Sequence, residues 1–179
     1  MTTVTAGYDV GGAHLKVARV ENARVAAVEQ YPCALWKGLD QLDAALRAAT
    51  HITRGADCHA VTMTGELCEL FATRHAGVLA LTSHLALALG PKVQFFLGLK
   101  NFGDAVTAAA QTSDVASTNF LSTAKLIASL RPKALLIDMG STTTDIIACD
   151  RPQGLSDAER LQTGELVYTG FTRTAVPGI

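Results

Sequence analysis

The sequence predicts an α/β fold with helices packed on a mixed sheet. Two observations support it: the chain opens with short alternating strands, and helices with apolar residues at helical spacing then alternate with further strands. A third is a glycine turn that follows the first strand and occurs again near residue 140. The chain has 179 residues, 49% of them hydrophobic, which is typical of one globular domain with a sizeable core.

The first three strands are predicted to form an antiparallel meander. Val4 to Val10 alternates between apolar and other residues and ends at a glycine turn. Leu15 to Glu21 is the returning strand, and Asn22-Ala23 forms a tight turn into the third strand, Arg24 to Tyr31.

The remaining elements follow from apolar periodicity and from breaking residues. Helices are predicted over Gly38 to Ala49, Leu67 to Arg74, Val78 to Leu89, Asp104 to Gln111 and Val115 to Leu130. Strands are predicted over His59 to Met63, Lys92 to Leu97, Ala134 to Asp138, Thr144 to Cys149 and Glu165 to Thr169. Ala134 to Asp138 has the apolar character of a buried strand. Ser156 to Glu159 resembles a capping box that starts a short helix.

Composition restricts the partners of the chain. A net charge of −1 provides no broad basic surface, so we expect neither nucleic acid nor a membrane as partner. The N-terminus does not resemble a secretory signal, and the four scattered cysteines suit buried thiols. We therefore expect a cytoplasmic protein whose anionic ligand is held by a local site.

The first glycine turn has the features of a phosphate site. Gly11 and Gly12 let backbone N–H groups approach an anion closely and tolerate positive φ. Lys16, on the returning strand, reaches a phosphate as a point charge, and Asp9 can hold Mg²⁺ directly or through water. The alternative is an ordinary hairpin whose glycines serve only the turn.

The second turn repeats this pattern more than a hundred residues later. Hydroxyl and N–H donors for phosphate oxygens follow an apolar strand; they belong to Gly140, Ser141, Thr142 and Thr143. Asp138 and Asp145 offer carboxylates for a metal or for orienting a water. Three consecutive threonines also suit a strand edge. The two turns together favour a phosphate site, and neither a P-loop nor a dinucleotide-binding glycine motif is present.

The residues from Asp9 to Lys16 and from Asp138 to Asp145 resemble the two phosphate motifs of the actin-like ATPases, sugar kinases and heat-shock ATPases. Within that superfamily, Asp138 to Ile147 and Gly164 to Gly170 are similar to signatures of the hydantoinase/oxoprolinase family. Pro32 to Gly38, with Thr64-Gly-Glu-Leu67, resembles a smaller branch linked to tetrahydromethanopterin one-carbon metabolism and methanofuran synthesis. The resemblance implies a ribonuclease-H-like (actin-like ATPase) lobe with a mixed central sheet and flanking helices.

For activity, the branch resemblance implies an Mg²⁺-dependent transferase. A furanmethyl diphosphate would lose diphosphate to the phenol of a glutamyl-tyramine, forming an aryl ether. Two alternatives stay open. One is an ATP-dependent amidohydrolase or small-molecule kinase of the same superfamily, and the other is a non-catalytic scaffold module.

The resemblance also implies residue roles. Asp9, Asp138 and Asp145 would face the metal, and Asp138 and Glu66 would be catalytic. Glu66 is a candidate base for the phenol, with a carboxylate that stabilises a helix N-terminus as the alternative. The phosphate cradle would comprise Gly11, Gly12, Ala13, His14 and Lys16 on one side and Gly140, Ser141, Thr142 and Thr143 on the other.

For domain organisation, the superfamily has two lobes, with the purine-binding motif in the second. We expect residues 1–179 to be the phosphate-binding first lobe of a truncated or partial polypeptide whose second lobe is mostly absent. The fragment alone is then expected to be a poor catalyst, since a closed site needs both lobes. The ligand would be a phosphorylated small molecule, and a homo-oligomer is compatible with the sequence.

Overall fold

The computed structural model describes residues 2–140 and 143–171 and divides into two compact units, residues 1–119 and 120–179. The strands are β1 Val4–Val10, β2 His14–Glu21, β3 Arg24–Pro32, β4 Cys58–Met63, β5 Val93–Phe96, β6 Phe102–Gly103, β7 Leu135–Met139, β8 Thr144–Ala148 and β9 Leu166–Val167. The helices are α1 Leu39–Ala48, α2 Thr50–Thr53, α3 Arg74–Leu89, α4 Ala105–Ala110, α5 Thr112–Val115, α6 Asn119–Leu130 and α7 Asp157–Thr163. No helix among the described residues is long and apolar enough to cross a bilayer.

The first unit is built on a six-stranded sheet in the order β3-β2-β1-β4-β5-β6. The meander β1-β2-β3 is antiparallel, β4 and β5 add in parallel to β1, and β6 pairs antiparallel with β5. The parallel connections pass through helices, as βαβ crossovers require. The predicted α/β class with a mixed central sheet is therefore confirmed.

Strand β1 shows why this end of the sheet can carry a polar site. Val4, Ala6, Tyr8 and Val10 are buried, whereas the residues between them are only half-buried. Alternation along a strand puts Asp9 on the face opposite to that core set. The apolar residues thus fix the strand, and its last carboxylate remains accessible.

The turn between β2 and β3 confirms the predicted tight hairpin. Asn22 and Ala23 both have positive φ, 49° and 62°. Two successive residues of this kind are typical of the turn whose twist matches the flanking strands.

The predicted helix over Val115 to Leu130 is wrong in its first turn. Helix α5 ends at Val115, and α6 begins only at Asn119. Ser117, between them, is 8% exposed and has a left-handed φ of 52°, which an α-helix cannot accommodate. Its side chain donates a hydrogen bond to Glu66, so a tertiary contact interrupts a helix that periodicity alone favours.

The predicted helix over Leu67 to Arg74 is also wrong. A 3₁₀ turn covers Gly65–Leu67, and α3 starts only at Arg74. The hydroxyl of Thr73 accepts a hydrogen bond from the N–H of Ala76, and this cap fixes the start of α3.

The second unit contains the three-stranded antiparallel sheet β7-β8-β9. The expected burial of the first of these strands is wrong: Leu135 and Ile137 are 60% and 61% exposed. Within the described residues β7 pairs with β8 alone, so an apolar strand lies at a sheet edge. The last predicted strand is shorter than expected, Leu166–Val167.

The capping box at the start of α7 is confirmed. The Ser156 hydroxyl accepts from the N–H of Glu159, whose carboxylate accepts from the N–H of Ser156. Hydrogen bonds from the N–H groups of Leu155 and Ser156 to the Glu159 carboxylate lower its pKa. Gly164 ends the helix in the left-handed conformation at φ 79°.

Candidate functional site

The first glycine turn closes the β1–β2 hairpin. The N–H of Gly11 donates to the carbonyl of His14 at 3.0 Å. Along the hairpin away from the turn, Val10 pairs with Leu15, and Asp9 then pairs with Lys16. The register therefore brings a carboxylate and an ammonium group together beside the glycines.

Asp9 makes two polar contacts there. Lys16 Nζ lies 3.1 Å from Asp9 Oδ2, and the Thr62 hydroxyl donates to Asp9 Oδ1 at 3.3 Å. Thr62 lies on β4, in parallel register with Asp9. The sequence alone does not predict Thr62 as a site residue, because only the pairing of β1 with β4 makes it a neighbour of Asp9.

The glycines of this turn provide space, not unusual dihedral angles. Neither Gly11 nor Gly12 is among the described residues with positive φ, so the positive φ that glycine tolerates is not used here. A Cβ on Gly11 would lie 3.0 Å from the His14 carbonyl oxygen, but one on Gly12 would meet nothing within 4 Å. The backbone at Gly12 is thus open to a ligand, and Ala13 and His14 beside it are exposed.

The segment with the branch resemblance at Pro32 to Gly38 supports this turn. The N–H of Leu35 donates to the carbonyl of Gly12 and that of Cys33 to the carbonyl of Ala13, both at 2.9 Å. Because these carbonyl groups are bonded, the turn is held in one conformation.

The second turn has the same closure in its own unit. The N–H of Gly140 donates to the carbonyl of Thr143 at 2.8 Å, and Asp138 lies opposite Asp145. Asp138 corresponds in register to Asp9, and Asp145 to Lys16. Ser141 and Thr142, predicted to bind phosphate, lie outside the described residues.

The two turns differ in charge. A lysine faces the aspartate of the first, whereas a second aspartate faces Asp138. Asp145 is paired with the guanidinium group of Arg160, a side chain that is only 4% exposed. Asp138 itself is exposed. Arg160 therefore offsets the charge of one of two carboxylates that share a face of the hairpin.

Arg160 is held by its packing as well as by Asp145. Its guanidinium carbon lies 3.7 Å from the centre of the Phe120 ring, and its Nη1 atom lies 3.5 Å from Asp157. Burial lowers the pKa of Arg160, and the charge of Glu165 partly opposes that shift. Its Nε atom has no hydrogen-bond partner among the described residues. The sequence alone does not predict Arg160 as a site residue; its position directly after the capping box is the signal it offers.

The segment from Gly164 to Gly170, which carries the second family resemblance, also contacts this turn. The Thr144 hydroxyl donates to the carbonyl of Thr169 at 2.6 Å. Just beyond it, the N–H of Phe171 donates to the carbonyl of Gly140 at 2.9 Å. Thr169 and Phe171 thus hold the two ends of the turn.

Glu66, the candidate base, is 1% exposed. The Ser117 hydroxyl donates to Glu66 Oε1 at 2.6 Å, while Oε2 has no hydrogen-bond partner in the part of the chain that the structure describes. Burial raises the pKa of the Glu66 carboxyl, and the bond from Ser117 partly opposes that shift. Glu66 belongs to the 3₁₀ turn before α3, so it does not start an α-helix.

The carboxylates at the two turns suit Mg²⁺ chemically, because this ion prefers oxygen ligands. Within the described residues no group of three or more His, Cys, Asp or Glu side chains could hold a metal ion. Mg²⁺ commonly uses one or two carboxylates together with water and substrate phosphates. Asp138, which is exposed, fits that use, and so does Asp9, whose partner Lys16 is itself exposed; Asp145 is paired with the buried Arg160.

Comparison with known proteins gives one curated relative. The chain is 32% identical over 180 residues to (4-{4-[2-(gamma-L-glutamylamino)ethyl]phenoxymethyl}furan-2-yl)methanamine synthase of Methanocaldococcus jannaschii. The alignment covers 98% of this chain and 53% of the synthase, so the chain spans about half the length of this relative. No protein-family model matches the chain. The hydantoinase/oxoprolinase resemblance therefore stays a prediction.

Solved structures show weaker similarities. A ROK family glucokinase from Streptomyces griseus in complex with glucose and AMPPNP aligns at a TM-score of 0.48 and 16% identity, over 84% of this chain and 46% of the kinase. A Ppx/GppA family protein of Aquifex aeolicus aligns at a TM-score of 0.45 and 9% identity, over 82% and 47% of the two chains. At these scores no conclusion about this chain rests on them.

Proposed function

We propose that this chain is the phosphate-handling part of a transferase of methanofuran-type cofactor synthesis, on the actin-like fold. The observation that carries the proposal is the 32% identity to the furanmethanamine synthase, which extends over 98% of this chain. The name of that relative describes a product in which a phenol oxygen is joined to a furanmethyl carbon. We propose the same ether linkage as the product here.

The proposed reaction is a substitution at the furanmethyl carbon. The bond from this carbon to the diphosphate oxygen breaks, and the departing diphosphate takes the electron pair. A bond forms between the same carbon and the phenol oxygen of glutamyl-tyramine, while the phenol proton passes to a base. Catalysis then depends on stabilising the negative charge of the diphosphate as it leaves.

The first turn supplies two groups for that charge. The backbone at Gly12 is open to a ligand, and Lys16 provides a positive charge beside it. Asp9 and Thr62 orient the lysine: Asp9 bonds its ammonium group, and the Thr62 hydroxyl bonds Asp9 in turn. A preorganised donor of this kind needs little rearrangement as charge develops.

We propose Mg²⁺ as cofactor, with Asp9 at the first turn and Asp138 at the second each offering a carboxylate for it. Bound there, the ion would neutralise part of the charge of the diphosphate. Asp138 is exposed and lies next to Asp145, whose own charge Arg160 offsets. The Arg160–Asp145 pair thus leaves Asp138 as the carboxylate available at this turn.

Glu66 is the proposed base for the phenol proton. A carboxyl group with a raised pKa accepts protons more readily near neutral pH, which suits general base catalysis. Its Oε2 atom is the oxygen without a described partner, and Ser117 fixes the other one. Because the side chain is buried in this structure, substrate binding has to open a path to it.

The test is turnover by the complete product of the gene. We expect one diphosphate to be released for each aryl ether formed when a furanmethyl diphosphate is supplied with glutamyl-tyramine and Mg²⁺. Glu66→Gln should abolish ether formation and leave diphosphate binding intact. Release of phosphate from ATP with a cyclic amide, and none from the furanmethyl diphosphate, would instead indicate the amidohydrolase.

A further inference from the structure

Strand β3 forms one edge of the six-stranded sheet. It spans Arg24–Pro32 and pairs only with β2 in the described part of the chain. Val25 and Val28 on this strand are 68% and 66% exposed. A nine-residue edge strand with exposed valines is a surface on which another strand can pair.

A β-bulge puts these two valines on the same face. Val25 lies opposite Val20 and Val28 opposite Ala18, and residues 18 and 20 of β2 share a face. In a regular strand, residues three apart point to opposite faces. Ala26 is the extra residue that changes this, since the register shifts between residues 19 and 20 of β2.

The bulge makes β3 complementary to itself. Consider two antiparallel copies related by a two-fold axis that passes between Ala26 and Ala27 of each strand. Val25 then lies opposite Val28 of the second copy, and Arg24 lies opposite Glu29 of that copy. Directly opposite residues of an antiparallel pair must point to the same face of the sheet. In this register a regular strand would bring together residues from opposite faces, whereas the bulge at Ala26 brings together residues from the same face.

Charge supports the same register. Arg24 lies opposite Glu21 and Glu29 opposite Val17, so Arg24 and Glu29 also share a face. Arg24 is exposed, and no hydrogen bond or ion pair described in this structure involves its side chain. The Glu29 carboxylate binds the Tyr31 hydroxyl and His51 Nε2, and it retains lone pairs for a third donor.

We propose that the β3 edge docks a second copy of this chain in this antiparallel register. Two symmetric Arg24–Glu29 pairs and two Val25–Val28 pairs would join the six-stranded sheets into one continuous sheet. A contact between single strands buries less than the roughly 800 Å² per partner of a standard interface, so the dimer is weak and reversible.

The test uses sedimentation of the complete gene product over a concentration series. The wild type should move from monomer to dimer as concentration rises, and Arg24→Glu should remain monomeric because it places glutamates opposite one another. Arg47→Glu, which reverses an exposed charge on α1, should dimerise like the wild type. Arg24→Glu mixed with Glu29→Lys should form a heterodimer, because their charges are complementary in this register.

A wild type that is monomeric throughout the series would overturn the proposal, as would an Arg24→Glu variant that dimerises as well as the wild type. If Glu29→Lys fails to fold, hydrogen exchange of the wild type decides instead. Amides of Val25 to Val28 should become more protected at high concentration, and unchanged protection there would contradict a β3 contact.

Discussion

Lys16 Nζ lies 3.1 Å from Asp9 Oδ2, directly across the first hairpin from it. The side chains are 58% and 25% exposed, so the pair itself contributes about 0–1 kcal/mol to stability. A second pair in the same unit, Lys100 with Asp114, is similar, with an N–O distance of 2.7 Å and exposures of 59% and 34%. Variants of the two lysines can therefore distinguish a role of Lys16 in ligand binding from the general effect of removing a positive charge.

Lys16→Met should weaken binding of Mg²⁺-diphosphate by roughly tenfold to a hundredfold, as expected for losing a hydrogen bond to a charged group. Urea unfolding should change by less than about 1 kcal/mol. Calorimetric titration measures the first effect. Lys100→Met is the matched control, and an equal loss of affinity in that variant would contradict a local role for Lys16.

Gly12→Ala should leave stability within about 0.5 kcal/mol of the wild type, because a Cβ there meets no atom within 4 Å. It should nevertheless weaken diphosphate binding, since the methyl group occupies the space through which an anion approaches the backbone. Denaturation and titration of the same preparation measure both effects. Unchanged affinity would place the anion elsewhere.

Arg160→Met should destabilise the second unit by on the order of 3 kcal/mol, because it leaves Asp145 without its buried partner. Gly154→Ala should also destabilise that unit, since its Cβ would lie 2.6 Å from the backbone nitrogen of Arg160. Arg151→Met is the control: its side chain is 86% exposed, and we expect a change within about 0.5 kcal/mol. Similar urea midpoints for the two arginine variants would argue against the Arg160–Asp145 pair.

Glu66 should make stability depend on pH. Burial raises the pKa of its carboxyl in the fold above the ordinary value of 4.5. Because the pKa is raised in the fold, the Glu66 carboxyl loses its proton at lower pH in the unfolded chain than in the folded one. The contribution of this group to stability is therefore fully present below pH 4.5, and it is lost as pH rises through the pKa of Glu66 in the folded state. Glu66→Gln should reduce this decline and unfold at higher urea than the wild type at pH 8. Glu69→Gln, which changes an exposed carboxyl group, should leave the decline of stability with pH as it is in the wild type. If the decline persists in Glu66→Gln, another group causes it.

Much of the fold is predictable because it rests on local pattern. Alternation in β1, the Asn22-Ala23 turn and the Ser156 capping box are set by neighbouring residues, and each is confirmed. The two glycine turns belong here too, since the Asp–Gly spacing around Gly11 and Gly140 produces the same hydrogen-bonded closure.

The remaining features depend on contacts between residues distant in sequence. Periodicity favours a helix through Ser117, but its bond to Glu66, 51 residues away, breaks that helix. Thr62 reaches Asp9 only because β4 pairs with β1. Arg160 reaches Asp145 only because α7 contacts β9, which pairs with β8. The apolar residues of β7 indicate burial, whereas Leu135, Ile137 and Met139 share one face of the strand and are exposed there.

The most direct test of a diphosphate site at the second turn is calorimetry of the complete gene product with Mg²⁺-diphosphate and, separately, Mg²⁺-ATP. Asp138→Asn is the critical variant, and Asp150→Asn, on the surface of the same unit, is its control. We expect the protein to bind diphosphate and to give no heat with ATP. Asp138→Asn should abolish the binding of diphosphate, and Asp150→Asn should preserve it. Binding of ATP that is lost in Asp138→Asn, or diphosphate binding that survives in Asp138→Asn, would contradict a diphosphate site at the second turn.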